Sequence, residues 1–150
     1  MFFTSAIVSL LLYLLSKRHM STHRIVLMAG DGHCLFRSIY FGLKEKNASH
    51  DNIKKMRHAV CEYIGKRWEK YKHFLIDYKS FKDYQYRMLH NAWGGEPEIN
   101  ALVQIIQCTI KIYDTRFKTW VKYKHPKPKK TIYLRYSGGV HYDCIVKNVQ

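Results

Sequence analysis

The sequence predicts an α+β fold, because two hydrophobic periodicities divide the chain. From Cys34 to about residue 107, apolar residues recur every three or four positions, as they do on one face of a helix. After Cys108 the period changes to two, which is typical of strands. Helices that precede strands predict helices packed on a small, mainly antiparallel sheet.

The first two predicted helices are separated by a polar segment. A glycine turn at residues 30–32 precedes Cys34, where the first helix begins, and Gly42 together with residues 47–49 ends it. Ser49 is a plausible N-cap for the second helix. Its apolar stripe leaves four basic residues off the buried face: Lys54, Lys55, Arg57 and Lys66.

Two further helices and four strands complete the prediction. Residues 80–90 form a weaker, tyrosine-rich helix, and the next helix begins at Glu96 with Pro97 in its first turn. Strands are predicted at residues 109–113, 119–123, 131–136 and 141–147. A short apolar run at residues 24–28 leads into the first glycine turn.

Length and composition indicate one ordered, basic domain. The 150 residues are enough for one core, and an apolar content of 47% argues against disorder. Lys and Arg exceed Asp and Glu by 26 to 11, a net charge of +15. Nucleic acid, an anionic membrane and an acidic protein surface all fit this charge, and charge alone does not choose among them.

The four cysteines show no paired spacing, which favours a reducing compartment and a free thiol at Cys34. Cys61 and Cys108 lie in apolar stretches and are predicted to be packing residues. Cys144 is predicted to be structural as well, because its side chain points away from the face of His141.

The first nineteen residues are treated as a segment separate from a domain at residues 20–150. Residues 2–15 are almost entirely apolar but shorter than the ~20 residues that span a bilayer. A short membrane anchor, a secretion signal and an upstream extension with translation starting at Met20 all remain open. An anchor followed by Lys17 and Arg18 would favour a catalytic domain facing the cytosol.

Cys34 is the candidate nucleophile. A thiol at a helix start meets the positive end of the helix dipole and unpaired backbone N–H groups, which favour the reactive thiolate. His141 follows the Gly138-Gly139 turn and begins a strand, so it can be held rigidly as the general base.

Two carboxylates are candidates to assist them. Asp143 lies on the same strand face as His141 and is the better residue to orient the imidazole. Asp31 is expected to organise the turn at Asp31, Gly32, His33 and Cys34, whose backbone N–H groups would form an oxyanion hole.

Two other kinds of site are less favoured. His141 and Cys144 have HxxC spacing, but no second spaced pair exists, so no metal or other cofactor is expected. The lysine-rich residues 118–130 also contain Trp120 and Tyr123, which could serve nucleic acid. We interpret the stretch as a solvated hairpin and do not expect nucleic acid as the partner.

Three segments resemble the ovarian-tumour (OTU) family of cysteine proteases, and they occur in the family's order. They are Asp31-Gly32-His33-Cys34-Leu35-Phe36-Arg37, Trp93-Gly94-Gly95-Glu96-Pro97-Glu98-Ile99-Asn100-Ala101-Leu102 and His141-Tyr142-Asp143. The resemblance implies a papain-like α+β fold and deubiquitinase activity. Compact members occur in viruses as well as cells, and the basic, tyrosine-rich composition would suit a large DNA virus.

The resemblance also implies roles for residues. Cys34 would be the nucleophile, His141 the general base and Asp31 the acid of the first motif, while Asp143 matches the position that orients the histidine in many members. Trp93, Gly94 and Gly95 would line a narrow channel for the Gly-Gly tail of ubiquitin. His33 stands where the family usually has Asn or Ser, and its backbone is expected to matter more than its side chain.

The predicted function is therefore a thiol isopeptidase that acts on ubiquitin or polyubiquitin conjugates through a Cys34 thioester. We expect a cytoplasmic monomer, tethered to a membrane if residues 1–19 are an anchor. The alternative is a catalytically weak module that binds ubiquitin or nucleic acid. Linkage preference stays open.

Overall fold

The computed structural model describes residues 22–148 and has the predicted α+β architecture within that range. Its strands are β1 (His23–Val26), β2 (Thr109–Asp114), β3 (Thr119–Tyr123), β4 (Thr131–Ser137) and β5 (His141–Lys147). Its helices are α1 (Cys34–Lys44), α2 (His50–Gly65), α3 (Trp68–Tyr71), α4 (Phe81–His90) and α5 (Glu96–Ile106). The sequence patterns missed the single-turn helix α3 and showed β1 only as an apolar run.

The predicted helix starts are confirmed. Ser49 caps α2 through a capping box with Asn52, and Ser80 accepts the amide of Asp83 at the start of α4. Helix α5 begins after Gly95, with Pro97 and two glutamates in its first turn. Each start depends on a local residue pattern.

The predicted role of Gly42 is wrong. Helix α1 continues through Gly42 to Lys44 and ends where Glu45 adopts a left-handed backbone conformation, with φ of 56°. A Cβ atom at position 42 would overlap the Ile132 side chain. Gly42 is therefore a glycine of close helix–strand packing and not a helix terminator.

The five strands form one sheet in the order β1-β5-β4-β2-β3. Three of its four pairings are antiparallel, whereas β2 and β4 run parallel. The mainly antiparallel sheet is thus confirmed, with one parallel pair at its centre. This arrangement places the start of β5 beside the end of β4, where Ser137 pairs with His141.

The core lies between the helices and one face of the sheet. Ile110, Ile132 and Leu134 alternate onto this face and are buried, and Gly42 of α1 packs directly on Ile132. The predicted packing cysteines, Cys61, Cys108 and Cys144, are all buried here. Arg57 is buried as well, so the prediction that it lies off the buried face of α2 is wrong.

None of the helices within residues 22–148 is long and apolar enough to cross a membrane. The three readings of residues 1–19 concern a segment that lies outside the described residues.

Candidate active site

Cys34 is the first residue of α1 and is half-buried. The chain enters the helix through Gly32, whose φ of 82° lies in the left-handed region that favours glycine. The thiol therefore has the position at the positive end of an eleven-residue helix that the sequence predicted.

Asp31 fixes the turn before Cys34. Its carboxylate pairs with Arg37 one turn into α1, with a closest distance of 2.6 Å, and accepts the His33 amide at 3.1 Å. The hydrogen bond from Arg37 is the largest influence that lowers the pKa of Asp31, to about 2. The structure thus places Asp31 in the turn, as expected.

The same contacts refine the expected oxyanion hole. The His33 amide is directed to the Asp31 carboxylate, and the Gly32 carbonyl accepts Nη2 of Arg57 at 3.1 Å. The peptide group between Gly32 and His33 is therefore held at both ends. Among the four predicted donors, the amides of Cys34, Asp31 and Gly32 are the better candidates.

His141 begins β5, and its ring is held by Asp143. The Nε2 atom lies 3.0 Å from Oδ1 of Asp143. Because a carboxylate accepts hydrogen bonds, this contact assigns the Nε2–H tautomer and leaves Nδ1 as the basic nitrogen. The predicted partnership of His141 with Asp143 is present in the structure.

Asp143 is itself held ionised although its side chain is only 1% exposed. Burial raises its pKa, but hydrogen bonds outweigh this effect and place the pKa below its ordinary value. The donors are Arg135 at 2.7 Å, the Met28 amide at 2.8 Å and His141. A fixed anion behind the imidazole stabilises the imidazolium that proton transfer from a thiol creates.

The fold brings the nucleophile and base segments together. Helix α1, which begins with Cys34, packs on β5, which begins with His141. Burial is the largest cause that raises the pKa of the phenol of Tyr142, the next residue, and the nearby Cys34 thiol contributes to the rise. The two motifs, a hundred residues apart in sequence, thus meet at one end of the helix–sheet interface.

A glycine turn sets the approach to His141. Gly138 and Gly139 have φ values of 61° and 73°. The Gly139 carbonyl accepts the hydroxyl of Tyr136, and a Cβ at Gly139 would lie 2.6 Å from Nη1 of Arg116. The left-handed backbone conformation at both positions favours glycine, whereas the Arg116 side chain is flexible enough to move away from a Cβ atom.

The segment Trp93-Gly94-Gly95 lies against the cysteine turn. The Trp93 side chain is 67% exposed, and its Nε1 would be 3.5 Å from a Cβ at Gly32. A Cβ at Gly94 would lie 2.7 Å from the side chain of Leu35 in α1. The predicted channel residues therefore border the turn that carries Cys34.

Glu98 fixes the last glycine of this segment. Its Oε2 accepts the Gly95 amide at 2.7 Å, and its Oε1 accepts the hydroxyl of Tyr84 at 2.8 Å. Burial raises the pKa of Glu98, and these two donors act in the opposite direction. Glu98 thus holds the Gly95 end of this segment from within the core.

Arg57 is the supporting residue that the sequence interpretation missed. Its side chain is 1% exposed, and its Nη1 donates to the carbonyls of Met88 and Ala92, both at 2.8 Å. Its Nη2 donates to the Gly32 carbonyl, so one guanidinium connects the cysteine turn to the segment that immediately precedes Trp93. The spacing of Arg57 from Ile53 and Cys61, four residues each way, could have indicated the buried face.

The His33 side chain contributes more than was expected of it. Its Nδ1 lies 2.8 Å from Nη2 of Arg57, and since a guanidinium only donates, Nδ1 accepts and the ring is neutral. Burial first, and the charge of Arg57 second, lower the pKa of His33. The unusual residue of the motif is thus part of the Arg57 cluster.

An α+β domain with a thiol at the start of a helix, packed on a strand that begins with a histidine held by a carboxylate, has the architecture of a thiol hydrolase. Residues 29–144 match the family model of the OTU-like cysteine protease, and the chain belongs to this family.

Relatives and solved structures agree with this membership. The chain is 33% identical over 130 residues to OTU domain-containing protein 2 of Saccharomyces cerevisiae, covering 77% of this chain and 42% of that protein. It is 27% identical over 132 residues to deubiquitinase OTUD6B of Homo sapiens, covering 79% and 45%. The chain thus spans less than half the length of either relative.

The fold is similar to solved OTU domains. An OTU domain in complex with ubiquitin has a TM-score of 0.74 and 24% identity, covering 84% of this chain and 70% of that chain. The viral OTU domain protease from Taggert virus has a TM-score of 0.68 and 23% identity, covering 85% and 81%. These structures bear out the predicted OTU fold.

Proposed function

We propose that this chain is a cysteine-type deubiquitinase, which hydrolyses the bond between the C-terminus of ubiquitin and a lysine. The observation that carries the proposal is the Arg135–Asp143–His141 chain of hydrogen bonds at the start of β5, beside the helix that begins with Cys34. Support comes from relatives that carry the name deubiquitinase and from the similarity to an OTU domain bound to ubiquitin.

In the first half of the reaction, Nδ1 of His141 takes the proton of the Cys34 thiol. The thiolate attacks the carbonyl carbon of the last ubiquitin residue, and the Cys34 amide and its neighbours in the turn stabilise the oxyanion. When the C–N bond breaks, His141 returns the proton to the leaving lysine amine. A thioester joins Cys34 to ubiquitin.

In the second half, water replaces the amine. His141 takes a proton from the water as its oxygen attacks the thioester carbon, and then gives that proton to the departing sulfur of Cys34. Asp143 stays ionised throughout and stabilises the imidazolium each time it forms. The products are free ubiquitin and the original thiol, so no cofactor or metal is required.

The Trp93-Gly94-Gly95 segment would hold the tail of ubiquitin. Glycine at positions 94 and 95 removes side chains from the wall beside the cysteine turn, and the exposed Trp93 indole offers a flat apolar surface. A tail that itself ends in two glycines has little bulk. A narrow channel therefore accepts it and excludes peptides with larger side chains.

The proposed thiol chemistry indicates the cellular compartment in which the protein works. A free Cys34 thiol requires a reducing environment, and all four cysteines of the chain are free thiols. We propose that the protein acts as a monomer in the cytoplasm on ubiquitin or polyubiquitin conjugates. If residues 1–19 are an anchor, the domain acts at a membrane surface.

Hydrolysis of diubiquitin tests this function. The full chain and a Cys34→Ala variant are incubated with diubiquitins of each linkage type, and monoubiquitin is quantified over time. We expect the wild type to cleave at least one linkage and the variant to cleave none. Binding of diubiquitin without cleavage by the wild type would contradict the proposal and favour the catalytically weak module.

A further inference from the structure

The face of the sheet turned away from the helices is open in residues 22–148. Because side chains alternate along each strand, the neighbours of the buried Ile110, Ile112, Ile132 and Leu134 project from the opposite side. We define the outer face as the central part of that side. It consists of Lys111, Tyr113, Trp120, Lys122 and Tyr133, all half-buried or exposed.

Three aromatic rings from three strands meet on the outer face. The Trp120 ring packs against that of Tyr113, with centroids 5.3 Å apart, and against that of Tyr133, with centroids 6.0 Å apart. The Trp120 side chain is nevertheless 50% exposed. Rings that serve a core are covered, whereas this cluster presents π-surface to solvent on a rigid base.

Two lysines accompany the rings. Lys111 and Lys122 lie directly opposite each other in the β2–β3 register, and Nζ of Lys111 is 5.7 Å from the Tyr133 ring. Like charges at opposed positions destabilise a strand pair. This pair of lysines therefore opposes the stability of the sheet, which points to a role outside the fold.

Acidic residues are scarce in the part of the chain that carries most of the outer face. Residues 115–142 contain eight Lys or Arg residues and no Asp or Glu. Asp143, on the same side of the sheet, is buried and paired with Arg135. The outer face is thus a positive surface with exposed rings, and its complement is a polyanion that also has flat apolar groups.

We propose that the outer face binds single-stranded nucleic acid. Bases stack on the ring cluster, while Lys111 and Lys122 contact the phosphates, as on other sheet platforms that bind single strands. A duplex keeps its bases stacked and does not offer them to the rings. The inference stands on the sheet and its charge, and it is independent of the proposed deubiquitinase activity.

The side chains on the outer face favour this partner over an anionic membrane. On β2, β3 and β4 the positions that point outward carry Thr, Lys, Tyr, Trp, Arg and Ser, and the aliphatic residues on this side, Ile145 and Ile25, lie beyond Tyr133 on the next two strands. From sequence, the lysine-rich stretch was interpreted as a solvated hairpin. The ring cluster was not apparent there, because Tyr113 and Tyr133 lie outside that stretch.

Fluorescence anisotropy of labelled oligonucleotides tests the proposal. The full chain is titrated into single-stranded RNA and single-stranded DNA of equal length, and into the matching duplexes, at several KCl concentrations. We expect saturable binding of at least one single strand, weaker binding of duplex, and affinity that falls with salt. The RNA and DNA arms identify which kind of strand is preferred.

Two pairs of variants separate stacking from charge. Trp120→Ala should weaken binding roughly 5- to 100-fold, whereas Trp120→Phe keeps a ring and most of the affinity. Lys111→Glu/Lys122→Glu should weaken binding and also reduce its salt dependence. The slope of log affinity against log salt concentration should fall in magnitude by about 1 to 2. Lys54→Glu/Lys82→Glu makes the same change of charge on the helical side and should leave the single-strand preference intact.

Three results would overturn the proposal. The first is equal affinity for duplex and single strand, which would mean binding by net charge alone. The second is wild-type affinity in both Trp120→Ala and Lys111→Glu/Lys122→Glu, with folding verified by circular dichroism. The third is binding to phosphatidylserine vesicles without binding to any oligonucleotide, which would assign the face to a membrane.

Discussion

The two halves of the candidate site are held in different ways. On the histidine side, the buried carboxylate of Asp143 is compensated by Arg135 on the adjacent strand, so opposite charges meet within one sheet. On the cysteine side, the buried guanidinium of Arg57 donates to neutral acceptors, namely three carbonyls and the His33 ring. The base is therefore oriented by a buried ion pair, whereas the nucleophile turn is held by a buried cation with neutral acceptors, together with the more exposed Asp31–Arg37 pair.

Because the two halves are held differently, loss of the supporting arginine should destabilise each of them in a different way. Removing Arg135 leaves a buried anion that can be neutralised by a proton, so the defect on the histidine side depends on pH. Removing Arg57 leaves carbonyls that no proton can satisfy, so the defect on the cysteine side appears at every pH. Variants on the two sides should separate these responses.

The largest expected effect is on catalysis. His141→Ala removes the general base and should lower kcat/KM for a fluorogenic ubiquitin amide by about 10²- to 10⁴-fold. His58→Ala, an exposed histidine on α2, is the matched control and should keep the wild-type rate. Activity of His141→Ala within threefold of wild type would refute the role of His141.

Arg57→Ala should produce the largest loss of stability. It leaves the carbonyls of Gly32, Met88 and Ala92 buried without their donor, and we expect a loss of about 3–5 kcal/mol in urea unfolding. Arg67→Ala removes an exposed arginine near the end of α2 and should cost far less. Equal losses of unfolding free energy in the two variants would show that the buried hydrogen bonds of Arg57 do not stabilise the fold.

Arg135→Met tests the histidine side. The pKa of Asp143 is below its ordinary value in the folded state, so its ionisation stabilises the fold above that ordinary value and the contribution is lost as pH falls through the folded pKa. Without Arg135 the folded pKa rises.

We therefore expect Arg135→Met to lose about 1.5–3 kcal/mol at pH 7 and to unfold in acid at a higher pH than wild type. Lys55→Met breaks the exposed pair with Asp51 and should leave the acid midpoint unchanged. An acid midpoint of Arg135→Met equal to that of wild type would contradict the ion-pair account.

The smallest effect is expected at His33. Its folded pKa lies below 6.5, so the unfolded chain binds more protons and stability falls as pH decreases below 6.5 toward the folded pKa. His33→Asn keeps an acceptor for Arg57 but does not titrate. The dependence of the urea midpoint on pH between 7.5 and 5 should therefore be shallower in the variant, and an unchanged dependence would contradict the neutral ring.

The histidine side could be predicted from sequence because its signals are local. His141 and Asp143 are two residues apart on a strand with clear alternation, and the glycine turn precedes them directly. Helix starts at Cys34 and after Ser49 were predictable for the same reason. The sequence could not indicate that Arg135 would pair with Asp143, since this contact depends on which strands are neighbours.

The features that the sequence missed all depend on contacts between distant segments. Arg57 is charged, and charge alone favours the surface, so its burial follows from acceptors 25 to 35 residues away. The parallel pairing of β2 with β4 has no signal in either strand's own alternation. The aromatic cluster of the outer face depends on that pairing, and it could not have been predicted without it.

We propose Cys34 as the nucleophile of a ubiquitin-directed site that the Arg135–Asp143 pair and the Arg57 cluster hold in place. Ubiquitin with a C-terminal propargylamide tests it most directly, with intact-mass and peptide mapping of the full chain. We expect one adduct per chain, on Cys34, and none in Cys34→Ala, although Cys61, Cys108 and Cys144 remain. An adduct on any of those three cysteines, or no adduct on the wild type, would contradict it.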